Sequence, residues 1–501
     1  MALSAPETLD EAALCRLADH QSSTGGYHEA IELYRKVLDS NPGHAVAANN
    51  MGNAYQKLGR FTEAVSCYCR ARDIHPDNVD IRTNLGRALE ATGQARRALE
   101  ELHVALKLAP DSADINYHIA SLLEHQVFLN EARSFYETAL RLRPDYPDAR
   151  LGLGAVLADL GYEDEAWEQR RLGHADHVLR TVSALRNDHP SRVLKLVSAA
   201  GGNIPLDRVL TPFLFEVTEL IVEFADRLPP LDDYDVVINA IGDADRCERG
   251  LNAAAALLRG TSVRVLNPPE RVWPTGRQSL ADRLGGLEGV RTPRVRTLPR
   301  TLFQQGQAAA ILVEEGWRCP LLLRARGHHT GRHFLRVETF DGVNAMGATL
   351  PGDHLLAIEW LDSSDADAIF RKYRMMLIGG AIYPLHLAIS HNWKVHYFSS
   401  DMADSEVYRT EELRYLSDPA AAIGERAMAA LGRIGGALDL DYAGVDFAIG
   451  ADGEVLVFEA NATMRIVPPQ SGPLGDQRRP FIDDAMAAAQ RLLSGGVDKA
   501  N

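Results

Sequence analysis

Asp446, Glu459 and Asn461 are the residues of this chain whose types and spacing point most directly to chemistry. They lie in GVDFAIGADGEVLVFEANATM, where two apolar runs, VDFAI and EVLVFEAN, flank a GADG turn. That pattern predicts a β-hairpin. Side chains alternate faces along a strand, so Glu459 and Asn461 share a face, and the hairpin can bring Asp446 across from them. Two carboxylates and an amide oxygen then converge on an otherwise apolar ribbon. Burying such a cluster unpaired is costly, and hard oxygen ligands of this kind suit Mg2+ carrying a nucleotide phosphate. The same residues also allow a plainer reading, an exposed hairpin with ordinary surface acids.

The elements upstream must position that hairpin. SRVLKLVSAAGG, YDVVINAIGDAD and TSVRVLNPPERV each read as an apolar strand running into a Gly, Asp or Pro turn, with ERGLNAAAALLRG as a helix between them. Strands alternating with helices predict a parallel α/β layer over about 190–300. The GGN and IGD loops alone say little about phosphate, and the lack of a GxGxxG after these strands disfavours a dinucleotide-binding oxidoreductase. From 301 to 495 the strands lengthen: CPLLLRARG, HFLRVETF, LLAIEWL, MMLIGGAIYPLHLAIS and WKVHYFSS. Their tight polar turns predict antiparallel sheets, and the amphipathic IDDAMAAAQRLLSGG closes the region.

Residues 1–183 differ in kind. Pro42, Pro76, Pro110 and Pro144 are 34 residues apart, as are Ala30, Ala64, Ala98, Ala132 and Ala166. Gly25, Gly59, Gly93 and Gly161 keep the same beat, with Val127 where a fifth glycine would fall; Tyr34, Tyr68, Leu102 and Tyr136 continue it. Such a period marks antiparallel helix pairs stacked into a solenoid. Glycine permits the turn, alanine lets helices approach, and proline stops the second helix. The segment resembles the tetratricopeptide repeat family, with about five repeats. The resemblance implies a groove for a peptide or protein segment, lined by Asn49, Asn50, Asn53, Asn84, Arg87 and Asn116. Asn50 and Asn84, one period apart, could ladder along a peptide backbone; solvated helix faces would carry the same residues.

The 501 residues carry a net charge of −15 with no basic block, which disfavours nucleic-acid binding by phosphate neutralisation. No apolar run approaches the roughly 18 residues a membrane span needs, and the acidic N-terminus has no signal-type apolar stretch. Five cysteines (Cys15, Cys67, Cys69, Cys247, Cys319) form no CxxC pair, as expected of incidental thiols in a reducing compartment. These features predict a cytoplasmic protein.

Residues 190–495 resemble the ATP-grasp superfamily, in the style of D-alanine–D-alanine ligase and glutathione synthetase, so the expected fold is a repeat solenoid followed by an α/β and α+β ATP-grasp unit. Asp446, Glu459 and Asn461 match that family's Asp-x12-Glu-x-Asn metal triad, which implies ATP and two Mg2+ ions. CPLLLRARGHHTGRHF looks like the central strand and its glycine loop over the phosphates, with Gly327 and Gly331 in the loop. AIEWLDSSD resembles the adenine hinge: Glu359 at the amino group, Trp360 and Leu361 offering backbone bonds, and Asp365 (or Asp362 or Asp367) at the ribose. Arg374, in RKYRMMLIGGAIY, matches an arginine that contacts transferred phosphate or substrate. Arg277 and Arg324 stand where the family usually has phosphate-binding lysines, and arginine keeps the charge while clamping bidentately. ATMRIV replaces the family's frequent Pro-Gly after the triad, leaving Arg465 as a candidate grip for a substrate carboxylate or an ordinary surface arginine.

The implied activity is ATP-dependent ligation of a carboxylate to an amine through an acyl phosphate, on amino-acid-like or peptide substrates. Two other classes stay open: a non-catalytic scaffold with a degenerate nucleotide fold, and a phosphotransferase.

Overall fold

The computed structural model describes residues 10–185, 189–325, 333–397, 400–469 and 472–495. It divides into two units, one ending at Gly173 and the other beginning at His174.

Among its described residues the first unit is ten helices: α1 (Glu11–Ser23), α2 (Tyr27–Ser40), α3 (Ala45–Lys57), α4 (Phe61–Ile74), α5 (Val79–Ala91), α6 (Ala95–Leu108), α7 (Ala113–His125), α8 (Leu129–Leu142), α9 (Pro147–Leu160) and α10 (Glu163–Gly173). The periodic residues account for the pairing. All five period alanines are fully buried, and Tyr34, Tyr68, Leu102 and Tyr136 fill the core beside them. Asn78 and Ser112 cap α5 and α7 by accepting from the third amide onward. The turn glycines Gly25, Gly59, Gly93 and Gly161 all have positive φ, the region glycine enters without steric cost.

Among its described residues the second unit holds three sheets. The first runs β1 (Leu179–Val182), β3 (Phe215–Ile221), β2 (Ser191–Val197), β4 (Val236–Asn239), β5 (Val265–Leu266), parallel except for the edge strand β1. The second is antiparallel: β7 (Val295–Pro299), β10 (His354–Glu359), β8 (Leu321–Ala325), β9 (Phe334–Val337). The third runs β12 (Ala381–Ser390), β11 (Phe370–Ile378), β13 (Tyr442–Ile449), β14 (Val455–Asn461), β6 (Val290–Arg291). Three helices, Glu406–Ser417, Glu425–Leu438 and Arg479–Leu493, belong to the same region. One apolar core joins the first and third sheets, from Val193 through Met375 and Phe447 to Leu493, whereas the second sheet packs its own core on Phe303, Leu323 and Leu355.

Three sequence expectations change, and one strand is new. The helical part ends at Gly173 rather than 183, because Leu179–Val182 pairs with β3 of the second unit. A division at 300 separates β6 and β7 from the sheets they join. β3 escaped notice because FEVTELI shows no clean alternation of buried and exposed positions. WKVHYFSS was expected to be a strand, yet its described residues 393–397 form no ladder.

Candidate active site

The predicted hairpin forms from β13 and β14, joined by the turn at Gly450–Glu454, and its register sets Asp446 directly opposite Glu459. A bulge follows: Phe447 pairs with Val457, leaving Phe458 as the extra residue, exposed on β14. Bulges re-aim side chains next to functional sites. Asn461 lies on the same strand, its Nδ2 donating to Glu459 Oε1 at 2.9 Å.

Two basic groups hold Asp446 from β11. Arg374, its register partner, donates from Nε to Oδ1 at 2.6 Å and from Nη2 to Oδ2 at 2.8 Å. Lys372, two residues earlier and so on the same face, brings Nζ to 3.3 Å of Oδ2. Burial pushes the Asp446 carboxyl upward, but Arg374 and Lys372 outweigh it and hold the group below the ordinary range. Glu459 has a separate cation, Arg277, whose Nη2 donates to Oε1 at 2.7 Å.

Arg277 begins the helix Arg277–Leu284, after Gly276. A Cβ at Gly276 would meet Asp245 Oδ1 at 2.8 Å, so the glycine lets that carboxylate lie against the backbone, where Asp245 Oδ2 accepts from Arg277 N at 3.1 Å. Asp243 and Asp245 come from the IGDAD loop after β4. Arg324, buried on β8, supplies a further cation. Burial first, and the charge of Arg277 second, bring its guanidinium down to about 10, although Glu459 and Asp243 pull the other way.

Asp446, Glu459, Asn461, Arg277, Arg324 and Arg374 are therefore drawn into one neighbourhood from four separate stretches. Glu359, Trp360, Leu361 and Asp365 make different contacts. Glu359 Oε2 accepts from Arg294 N at 3.0 Å, Arg336 stacks its guanidinium 4.1 Å over the Trp360 ring, and Leu361 is buried with Ala448 and Leu456. Asp365 caps its own turn at Asp367 N and Ile369 N and accepts from Arg371. Arg465 is exposed. Gly327 and Gly331, with the histidines between them, lie outside the described residues.

The two carboxylates, a register pair, offer hard oxygens of the type a divalent cation takes, although the described oxygens now accept from Arg374, Lys372, Arg277 and Asn461, and among the described residues no group of three or more His, Cys, Asp or Glu converges. Asn461 as oriented does not add a third oxygen: its Oδ1 accepts from Thr463 N at 2.9 Å and Thr463 Oγ1 at 2.8 Å. It would join the carboxylates with its amide turned over. The sequence puts Lys394 and His396, with His391, in HNWKVHYF near the expected substrate side without giving them roles, and does not single out Lys372 or Asp245. Period-two alternation back from Arg374 could have found Lys372, whereas nothing local marks Lys394 or His396 as neighbours of Arg324 and Arg374.

In the first unit, the asparagine ladder exists but closes on itself. Asn84 Nδ2 donates to Asn49 Oδ1 at 3.2 Å, Asn49 to Asn50 at 3.1 Å, and Asn50 to Asp19 at 3.1 Å. Asn53 accepts from Tyr68 Oη at 2.7 Å, and Asn116 is buried on Ser112 O at 2.8 Å. Arg87 is exposed. The cross-repeat pair is thus Asn49–Asn84, not Asn50–Asn84.

Tetratricopeptide repeat models match residues 11–77, 43–111 and 83–147. Residues 11–147 are tetratricopeptide repeats. Repeats of this family are protein–protein interaction modules. Among solved structures, the chain is similar to MamA (20% identity, 34% of this chain and 95% of that one, TM-score 0.31). It is also similar to YrrB, described as a tetratricopeptide repeat protein with an unusual peptide-binding site (24%, 34% and 88%, 0.30), and to pilF of Pseudomonas aeruginosa (20%, 33% and 75%, 0.30). Comparison with curated proteins gives no match. Among the described residues no helix is long and apolar enough to cross a membrane.

Proposed function

We propose that the unit from His174 onward is an ATP-dependent carboxylate–amine ligase of the ATP-grasp type, to which the tetratricopeptide repeats bring a peptide or protein substrate or partner. The observation that carries this reading is the placement of Asp446 and Glu459 as a register pair, with Arg277 on one and Arg374 on the other. Carboxylates for metal and guanidiniums for phosphate then share one site, as phosphoryl transfer requires.

In this reading Asp446 and Glu459 would hold Mg2+, and Asn461 would join them with its amide turned over. The metal, when bound, neutralises charge on the phosphate being transferred. Arg277 and Arg324 take the phosphates. Arg374, oriented by its two bonds to Asp446, would steady the charge that develops on the reacting group. Water must be kept from an activated carboxylate.

A second reading has one observation in its favour. The carboxylates are already neutralised by the chain's own arginines, as they would be in a non-catalytic scaffold. Purified protein with Mg-ATP, assayed for ADP against a panel of carboxylates with and without an amine, separates the cases. Amine-dependent ADP with an amide product supports ligation. ADP with a phosphorylated product and no amine dependence indicates phosphotransfer, and no ADP with any carboxylate overturns catalysis.

A further inference from the structure

Arg374 stands beside an irregularity in its ladder. It pairs with His386, but the next residue, Met375, pairs with Pro384, so Leu385 is an extra residue on β12. A bulge of this kind bends the strand pair and re-aims the side chains beside it. β12 is also the outer strand of its sheet, so partners for its outward amides and carbonyls must come from outside the sheet.

Two buried charged groups supply such partners. Arg478 Nε donates to Leu385 O at 3.4 Å, and Glu412 Oε1 accepts from Leu387 N at 3.2 Å. The two side chains lie 3.7 Å apart and are 7% and 0% exposed. The other oxygen of Glu412 accepts from Tyr397 Oη and from Gln477 Nε2, each at 3.1 Å. One helical turn beyond Glu412, Tyr415 Oη donates to Arg374 O at 3.2 Å. The helix Glu406–Ser417 therefore grips both strands beside the arginine. A second route runs through side chains. His386 shares a face with Arg374, its ring lies 4.8 Å from that of Tyr397, and the Arg478 guanidinium lies 4.1 Å over the Tyr397 ring. A buried ion pair seldom stabilises more than apolar residues of the same volume would, so stability alone does not account for this one.

We propose that Glu412 and Arg478 are positioning residues for Arg374: from outside the sheet they fix the bulge at Leu385, and with it the direction of the guanidinium that meets Asp446. That Arg374 serves a reaction rests on the ligase reading above. Burial raises the Glu412 carboxyl to about 7, against Arg478, Gln477, the Leu387 amide and Tyr397. Its negative charge is therefore lost as the pH falls through neutrality, and the hold on the bulge weakens. Around the pair, burial first and then Arg374 and Arg478 keep His386 uncharged, and burial pushes Tyr397 and Tyr415 upward. None of these three changes charge near neutrality.

The test follows the Nε–H signal of Arg374 by nuclear magnetic resonance, in the full chain carrying isotope-labelled arginine. Arg374→Lys identifies the signal by its loss. In the wild type the signal should shift between about pH 6 and 8. In Glu412→Gln it should stay at the wild type's low-pH position throughout. Glu412→Gln combined with Arg478→Met leaves neither charge in place, and its signal should likewise ignore pH. A wild-type signal that ignores pH, or a shift that survives in either variant, overturns the inference. Turnover is measured with the carboxylate and amine that support ADP release. Glu412→Gln should lose about tenfold or more in kcat with the KM for Mg-ATP unchanged; an unchanged kcat also overturns the inference. If the signal responds as expected while the wild type releases no ADP, the positioning stands and the ligase reading falls. ADP release with an unresponsive signal has the opposite meaning.

Discussion

Glu459 Oε1 receives two donors, Arg277 at 2.7 Å and Asn461 at 2.9 Å, so its charge organises both neighbours. Glu459→Gln keeps the size and removes the charge. Mg-ATP-dependent ADP release should then fall roughly a hundredfold or more, with the helical signal of the repeats unchanged; wild-type release from this variant would remove Glu459 from the site. His386 makes a prediction of a different sort. Its folded pKa lies well below the unfolded value of about 6.5, so the unfolded chain takes up the proton first as the pH drops. Stability that His386 leaves intact above about pH 6.5 is lost on acidification, by at most about 1.4 kcal/mol per pH unit. Glu412, raised to about 7 by burial against the pull of Arg478, acts in the opposite direction, so variant must be compared with wild type. Thermal midpoints of His386→Gln should decline less between pH 7 and 5; parallel profiles would contradict this.

At the scale of elements, the repeat contains its own exception. Val127 occupies the turn position where the other repeats have glycine, and it has φ +68° like them. A β-branched residue in the left-handed region costs about 1–2 kcal/mol, and Val127 is 41% exposed, so little packing offsets that cost. Val127→Gly should stabilise the solenoid by about 1 kcal/mol, after the entropy that glycine adds to the unfolded chain. An unchanged or lower unfolding midpoint in denaturant would show that the turn is relaxed. The reverse holds inside the helices. Leu102 is fully buried and lies against Gly86, where a Cβ would come within 2.7 Å of its Cγ. Leu102→Ala should cost about 2–5 kcal/mol, read by the same measurement.

For the whole molecule, the boundary at Gly173 gives the next expectation. A fragment beginning at His174 keeps β1 on the edge of the first sheet and should melt higher than one beginning at residue 184; equal midpoints would mean that β1 adds nothing. If the repeats recruit substrate, removing them should reduce turnover of a long peptide more than that of a short mimic, and equal losses would count against recruitment. Much was legible beforehand where the causes are local. The 34-residue period gave the helix pairs because each repeat packs on its neighbours, and the alternation in VDFAI and EVLVFEAN gave the hairpin because a tight turn fixes which residues meet. Arg277, Arg324 and Arg374 came from resemblance, since no spacing in the chain says that a helix start and two strands will converge. Leu179–Val182 was read with the helices because an edge strand exposed along its length carries no apolar signature. The sequence by itself therefore determined the repeats and the Asp446–Glu459 hairpin. Only the tertiary structure decided which cation meets which carboxylate, because ion pairing depends on distances between segments that the order of residues does not encode.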